Sequence, residues 1–143
     1  MKLVKLAGSY MRQAEARVED AEDAYNKENY PYAVRLSQEA VELSLKASLR
    51  LVGIEYPKIH DVSDILEISE NRFPEWFRAE IPFLAETSRK LAKKRDVSFY
   101  GGEEELLSPE DLVSREDAED SVERARKTVE TCKKLLEQYK QIL

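Results

Sequence analysis

From Ala118 to the end of the chain, Ala118, Val122, Ala125, Val129, Cys132, Leu136, Tyr139 and Leu143 alternate steps of four and three without a miss. Only an α-helix places residues at that spacing on one stripe, and an unbroken stripe of this length has to lie against neighbouring helices running nearly parallel to it. Near the start, Leu3, Ala7, Tyr10, Ala14, Val18, Ala21 and Tyr25 repeat the pattern, predicting an amphipathic helix over about 2–27. Between these two, the segment from Tyr30 to Leu51 or Val52 is apolar or small on most sides, through Ala33, Val34, Leu36, Ala40, Val41, Leu43, Leu45, Ala47, Leu49 and Leu51. Its polar residues Arg35, Gln38, Glu39, Glu42, Lys46 and Arg50 form one narrow stripe, so this reads as the central helix. Ser37, Ser44 and Ser48 join the alanines in letting neighbours pack closely.

Punctuation fixes the ends. Pro31 suits the first turn of the central helix, where its missing N–H has no intrahelical partner, and Gly53 suits a left-handed C-terminal cap. Asp61 or Ser63 is placed to cap a short third helix through Val62, Ile65, Leu66 and Ile68. Pro74 can open a fourth helical region, whereas Pro82 interrupts a continuous helix. A kink or turn near Trp76 and then a helix to about Arg95 are therefore expected. Ser114 with Asp117 three residues on reads as the capping box of the last helix. With 143 residues, 36% charged and only 4 Gly, the chain reads as a single all-α domain over 1–143, an antiparallel up-and-down bundle of about five helices.

Composition narrows the function. A formal net charge of −6 excludes a general nucleic-acid coat protein and leaves room for a local basic patch. One Cys and one His cannot build the usual zinc site or an internal disulfide, so no metal or cofactor is expected. No unbroken apolar run marks a signal peptide or membrane span, and a cytoplasmic location is the expectation.

Three groups of residues carry chemistry. Glu42 and Lys46 lie one helical turn apart, which fits either a surface ion pair or a proton acceptor beside a phosphate contact. Arg89-Lys-Leu-Ala-Lys-Lys-Arg95 places five cations in seven residues, either a solvated helix end or a phosphate-attracting run. Arg95 offers a planar fork of donors near Tyr100 and Gly101-Gly102, and a phenol with an ordinary pKa near ~10 binds phosphate better than it takes protons. Histidine is the side chain whose unperturbed pKa lies nearest neutrality, so His60, the lone histidine, suits either a general acid or base or a structural hydrogen bond at the entrance to helix three.

The segment Asn29-Tyr-Pro-Tyr-Ala-Val-Arg-Leu-Ser-Gln-Glu-Ala-Val-Glu-Leu-Ser-Leu-Lys-Ala-Ser-Leu-Arg50, followed by Gly53, His60-Asp61 and Arg95 to Gly101, resembles the HEPN family, named for higher eukaryotes, prokaryotes and nucleotide binding. The resemblance implies an antiparallel helical bundle, usually a homodimer, often encoded beside a minimal nucleotidyltransferase as a toxin–antitoxin pair. Many relatives are metal-independent ribonucleases with an Arg followed after four to six residues by His, the two copies meeting across the dimer. Arg95 matches the first position, Tyr100 stands where the His belongs, and no His follows. The family is also similar to a helical domain of aminoglycoside nucleotidyltransferases, where a Glu and a Lys on one helix complete a nucleotide site. Glu42 and Lys46 fit that pattern.

The expectation is therefore a nucleotide- or RNA-binding subunit, using Glu42, Lys46 and Arg95, that pairs with a minimal nucleotidyltransferase. The alternatives are a ribonuclease toxin with a variant site of Arg95, Tyr100 and His60, and a non-catalytic structural partner. A homodimer formed partly by the surface from Arg95 to Tyr100 is expected, because the resemblance implies that the two motif copies meet and because the basic run lacks an obvious acidic counterpart nearby.

Overall fold

The computed structural model describes residues 2–142, and the Leu143 end of the last stripe lies outside them. Four long helices, α1 (Lys2–Asn26), α2 (Tyr30–Leu51), α5 (Ile81–Tyr100) and α7 (Arg115–Ile142), form the bundle. Three short ones, α3 (Ser63–Ile68), α4 (Glu75–Arg78) and α6 (Pro109–Leu112), fill the connections together with a 3-10 turn over Glu70–Arg72. Cross-helix contacts fix the directions: Glu22 and Glu15 on α1 meet Arg126 and Lys133 on α7, Lys90 and Lys94 on α5 meet Asp120 and Asp117 on α7, and Arg35 and Glu39 on α2 meet Phe99 and Arg95 on α5. The four long helices thus run up, down, up and down.

The stripes read from the sequence become the core. Ala7, Ala14 and Ala21 are fully buried on α1, as are Ala118, Ala125 and Cys132 on α7. α2 packs against α1, α5 and α7, which is why it buries side chains on most of its circumference. Small residues make that closeness attainable: Ser37 and Ser48 are fully buried and donate to the carbonyls of Ala33 and Ser44 at 2.7 and 3.0 Å, so their hydroxyls cost little inside. A second cluster at one end gathers Ala24, Ala33, Val34, Val113 and Val122.

The helix ends follow their punctuation with two exceptions. Pro31 and Pro82 both sit in first turns, Ser114 and Asp117 form the expected capping box, and Gly53 takes φ 76°. The first exception is α3, whose N-cap is Val62. Asp61 still serves one residue earlier by accepting from the Ser63 N–H at 2.9 Å. The second is α5, which continues past Arg95 to Tyr100 because nothing in Asp96-Val-Ser-Phe-Tyr100 stops it. Gly101 ends it at φ 71°, where a Cβ would lie 2.3 Å from the Leu107 carbonyl oxygen. Phe99 and Tyr100 are consequently helical residues, held one turn beyond Arg95.

Cys132 is fully buried, and that burial, only partly offset by a hydrogen bond with Ser48, pushes its thiol up to about 12. A disulfide-exchange reagent is expected to find no reactive thiol in the native protein at neutral pH and one after denaturation. Rapid native labelling would mean that the α2–α7 interface opens readily.

Candidate functional site

Physics disfavours burying a charged stripe, yet the polar stripe of α2 is walled in by α1, α5 and the loop after α2. Gln38 is only 2% exposed, and the Glu42 and Lys46 side chains are 18% and 12% exposed. Such groups persist only when their hydrogen bonds are met. Glu42 accepts from Lys46 Nζ at 2.8 Å on one oxygen and from Gln38 Nε2 at 2.9 Å on the other. That second oxygen also lies 2.7 Å from His60 Nδ1. Burial alone raises the Glu42 pKa, but the hydrogen bonds from Lys46, Gln38 and His60 outweigh it and hold the carboxyl below its ordinary 4.5.

Gln38 relays the network to α5. Its amide oxygen accepts from Arg95 Nη1 at 2.6 Å while its nitrogen serves Glu42. Turning the amide over would set a donor against the guanidinium and an acceptor against the carboxylate, so the two charged neighbours fix its orientation. Next along the stripe, Glu39 holds three guanidiniums: Arg17 Nε from α1 at 3.0 Å, Arg35 Nε at 3.3 Å and Arg95 Nη1 at 3.6 Å.

The loop carrying His60 is pinned to α5 by its neighbour. Ser88 Oγ donates to Asp61 at 2.9 Å and accepts from the Val62 N–H at 3.1 Å. Burial tends to raise the Asp61 pKa, but hydrogen bonds from Ser63 and Ser88 and the charge of Arg89 leave it lowered. The imidazole itself is about half exposed, with a side-chain exposure of 54%. With Nδ1 directed at a carboxylate, Nε2 remains to accept a proton.

A cleft of about 200 Å³ opens on this network, lined by Arg17, Glu39, Glu42, Leu43, His60 and Arg95. The fold thus brings together Glu42, His60 and Arg95, which are far apart in sequence. Lys46 does not line the cleft; it stands behind Glu42 with its ammonium 5.3 Å from the Tyr56 ring centroid. Tyr100 lines a different hollow, with Asp96, Val97, Gly101 and Glu103 to Glu105. A larger space of about 390 Å³ between α1 and α7 is lined by Glu22, Tyr25, Asn26, Glu119, Val122, Glu123 and Arg126, and shares none of these residues. Arg17, which no spacing in the sequence marks, belongs to the site because α1 packs beside α2.

The basic run is not a free patch. Arg89, Lys90, Lys94 and Arg95 pair with Glu67, Asp120, Asp117 and Glu39, so the run finds its acidic counterparts within the chain. The premise that it needs a second copy to supply them is corrected. Among the described residues there is no group of three or more His, Cys, Asp or Glu side chains placed to hold a metal ion. Also among them, no helix is long and apolar enough to cross a membrane.

Comparison with known proteins agrees with the architecture. A family profile described as the HEPN domain matches residues 7–135. The protein named "Putative toxin MJ1304" from Methanocaldococcus jannaschii is 28% identical over 141 residues, spanning 94% of this chain and 91% of that protein. The crystal structure of TT1696 from Thermus thermophilus superposes with a TM-score of 0.70 at 21% identity, covering 90% of this chain and 96% of the other. That of ST0689, described as an archaeal HEPN homologue, gives 0.69 at 22% identity, with 91% and 97% covered.

Proposed function

This chain belongs to the HEPN family, and from that premise we propose that it is a toxin-type member that grips a phosphodiester of a nucleotide or RNA in the cleft between α1, α2, α5 and the His60 loop. The observation that carries this reading is the convergence of Arg17 and Arg95 on one hollow, where Glu39 pairs with both and holds the position a phosphate would take between them. Guanidinium forks match phosphate oxygens, and a partly desolvated position strengthens them. The toxin character rests on the likeness to the Methanocaldococcus protein. In the same reading the partner is a minimal nucleotidyltransferase acting as antitoxin, and the working form is a homodimer meeting through exposed Tyr100, Leu106 and Leu107.

Arg95→Ala tests the site. Removing a charged hydrogen-bond donor is expected to weaken binding of a short RNA at low salt by about tenfold or more, while circular dichroism still reports a helical bundle. Equal affinity in parent and variant would sink the assignment. Some stability should also be lost, because Gln38 is buried and keeps an acceptor with nothing to accept from.

A second reading, metal-independent cleavage of RNA, is favoured by one specific feature: His60 and Arg95 line the same cleft, and Glu42 orients the imidazole. In that chemistry Nε2 takes the proton of a ribose 2′-hydroxyl, the 2′-oxygen bonds to phosphorus, and the 5′-oxygen leaves with a proton from an acid. Arg95 would hold the phosphate. A single imidazole has to serve as both base and acid, and Tyr100, in another hollow, cannot share the work within one chain. The chain alone is therefore expected to cleave poorly in a metal-free gel assay. Robust cleavage lost in both Arg95→Ala and His60→Ala would establish the second reading in place of the first.

A further inference from the structure

Next to the cleft, where α2 begins and α5 ends, lies a hollow of about 220 Å³ lined by Asn29, Pro31, Tyr32, Arg35, Ser98, Phe99, Pro109 and Glu110. Two aromatic side chains stand at it half in solvent, Tyr32 and Phe99, each 44% exposed. Arg35 joins the hollow to the cleft. Its guanidinium carbon lies 4.4 Å from the Phe99 ring centroid, a stacking distance, while its Nε is bonded to Glu39, the same carboxylate that holds Arg17 and Arg95.

Helix geometry sets the spacing between the two features. Tyr32 precedes Arg35 by three residues, and Phe99 follows Arg95 by four, so on both α2 and α5 the aromatic stands one turn, about 5.4 Å along the axis, from the arginine. Because the two helices are antiparallel, both aromatics lie on the same side of the arginine pair. The lining also discriminates between parts of a nucleotide. Glu110 repels a phosphate but accepts hydrogen bonds from a base N–H, and Asn29 offers both a donor and an acceptor to a base edge.

We propose that this hollow is a stacking subsite for one unpaired nucleobase, adjoining the phosphodiester cleft, so that the ligand is single-stranded and is read as a phosphate with its neighbouring base. The proposal rests on the phosphodiester reading of the cleft and adds the strand state of the ligand and the residues that sense it. Stacking uses the π-face that every base possesses, so the subsite distinguishes single strands from duplexes more than one base from another. In a duplex the base faces are occupied by their neighbours and cannot enter.

The test is fluorescence anisotropy at low salt with three labelled probes: a short single-stranded RNA, the same length of abasic oligonucleotide, and a duplex RNA. The parent should bind the single strand about tenfold more tightly than the abasic strand or the duplex. Phe99→Leu, which keeps apolar bulk but removes the ring, should erase that preference; Phe99→Tyr should keep it; Tyr32→Ala should reduce it. Arg95→Ala should weaken all probes alike. Both aromatics are half exposed, so the variants retain the fold, which circular dichroism verifies. Equal affinity for the base-bearing and abasic strands, with Arg95 still required, would overturn the stacking subsite and leave the phosphodiester cleft standing. Absence of binding to every probe would overturn both. A Phe99→Leu variant with unchanged RNA preference but weakened capture of a co-expressed protein partner would assign the platform to that partner and overturn the proposal.

Discussion

Replacing Glu42 by Ala is expected to lower the stability of the bundle by about 3 kcal/mol, the scale for breaking a largely buried ion pair from one side. Lys46, with its side chain 12% exposed, keeps its charge and loses its partner, while Gln38 and His60 lose an acceptor. Urea denaturation measures the loss, and a compensated variant separates its causes. Glu42→Leu combined with Lys46→Met removes both charges and should recover much of the stability, because the penalty lies in the orphaned ammonium. Failure of the double variant to recover would place the cost in the Gln38 and His60 contacts. The carboxyl also sets a pH dependence. Its folded pKa lies below the ordinary 4.5, so its stabilisation is complete above that value and is lost as pH falls through the folded pKa. Asp61, Asp117 and Asp120 are lowered as well and share the acid limb. Relative to the parent, Glu42→Gln should therefore have a shallower decline below about pH 4.5, and superimposable acid limbs would remove the claim.

Much of the bundle can be read from the sequence because its information is periodic. The stripes on α1 and α7 and the near-continuous apolar character of α2 depend only on residues three and four apart, which a linear reading sees directly. Boundaries marked by Pro31, Gly53, Pro82 and Ser114 are equally local. The site is different. Glu42 and Lys46 are visible as a pair on one helix, but the sequence cannot tell a solvated pair from a walled one; that depends on α5 and the His60 loop closing over the stripe. His60, Glu42 and Arg95 share a cleft only because Asp61 is tied to Ser88 on α5, a contact between residues 27 apart. Arg17 gives no local signal at all. The basic run shows the converse error: five cations in seven residues look unpartnered along the chain, yet four of them, Arg89, Lys90, Lys94 and Arg95, find acids on α2, α3 and α7. The extension of α5 beyond Arg95 is hard to see in the sequence because a cluster of cations resembles a helix end, whereas the real stop is steric and sits at Gly101.

Glu39→Gln should turn the protein into one whose stability depends on anions. In the native chain this carboxylate draws Arg17, Arg35 and Arg95 to within 3.6 Å, occupying the place a phosphate would take between them. A neutral amide leaves three guanidiniums facing one another with one acceptor oxygen, at an expected cost of about 2 kcal/mol at low salt. Adding salt to 0.15 M shortens the screening length to about 8 Å and should return part of that loss, whereas the parent changes little. A phosphodiester should return more, because a ligand that binds only the folded state stabilises it by about 2.7 kcal/mol at a hundred times its Kd. The same substitution is expected to raise affinity for a dinucleotide, since the ligand no longer competes with an internal carboxylate for the arginines. Thermal melts with and without the dinucleotide, run beside a titration, separate these effects. A variant as stable as the parent at low salt, or one that binds the dinucleotide no better, would show that Glu39 is an ordinary helix-surface partner and that the three arginines are not poised for a phosphate.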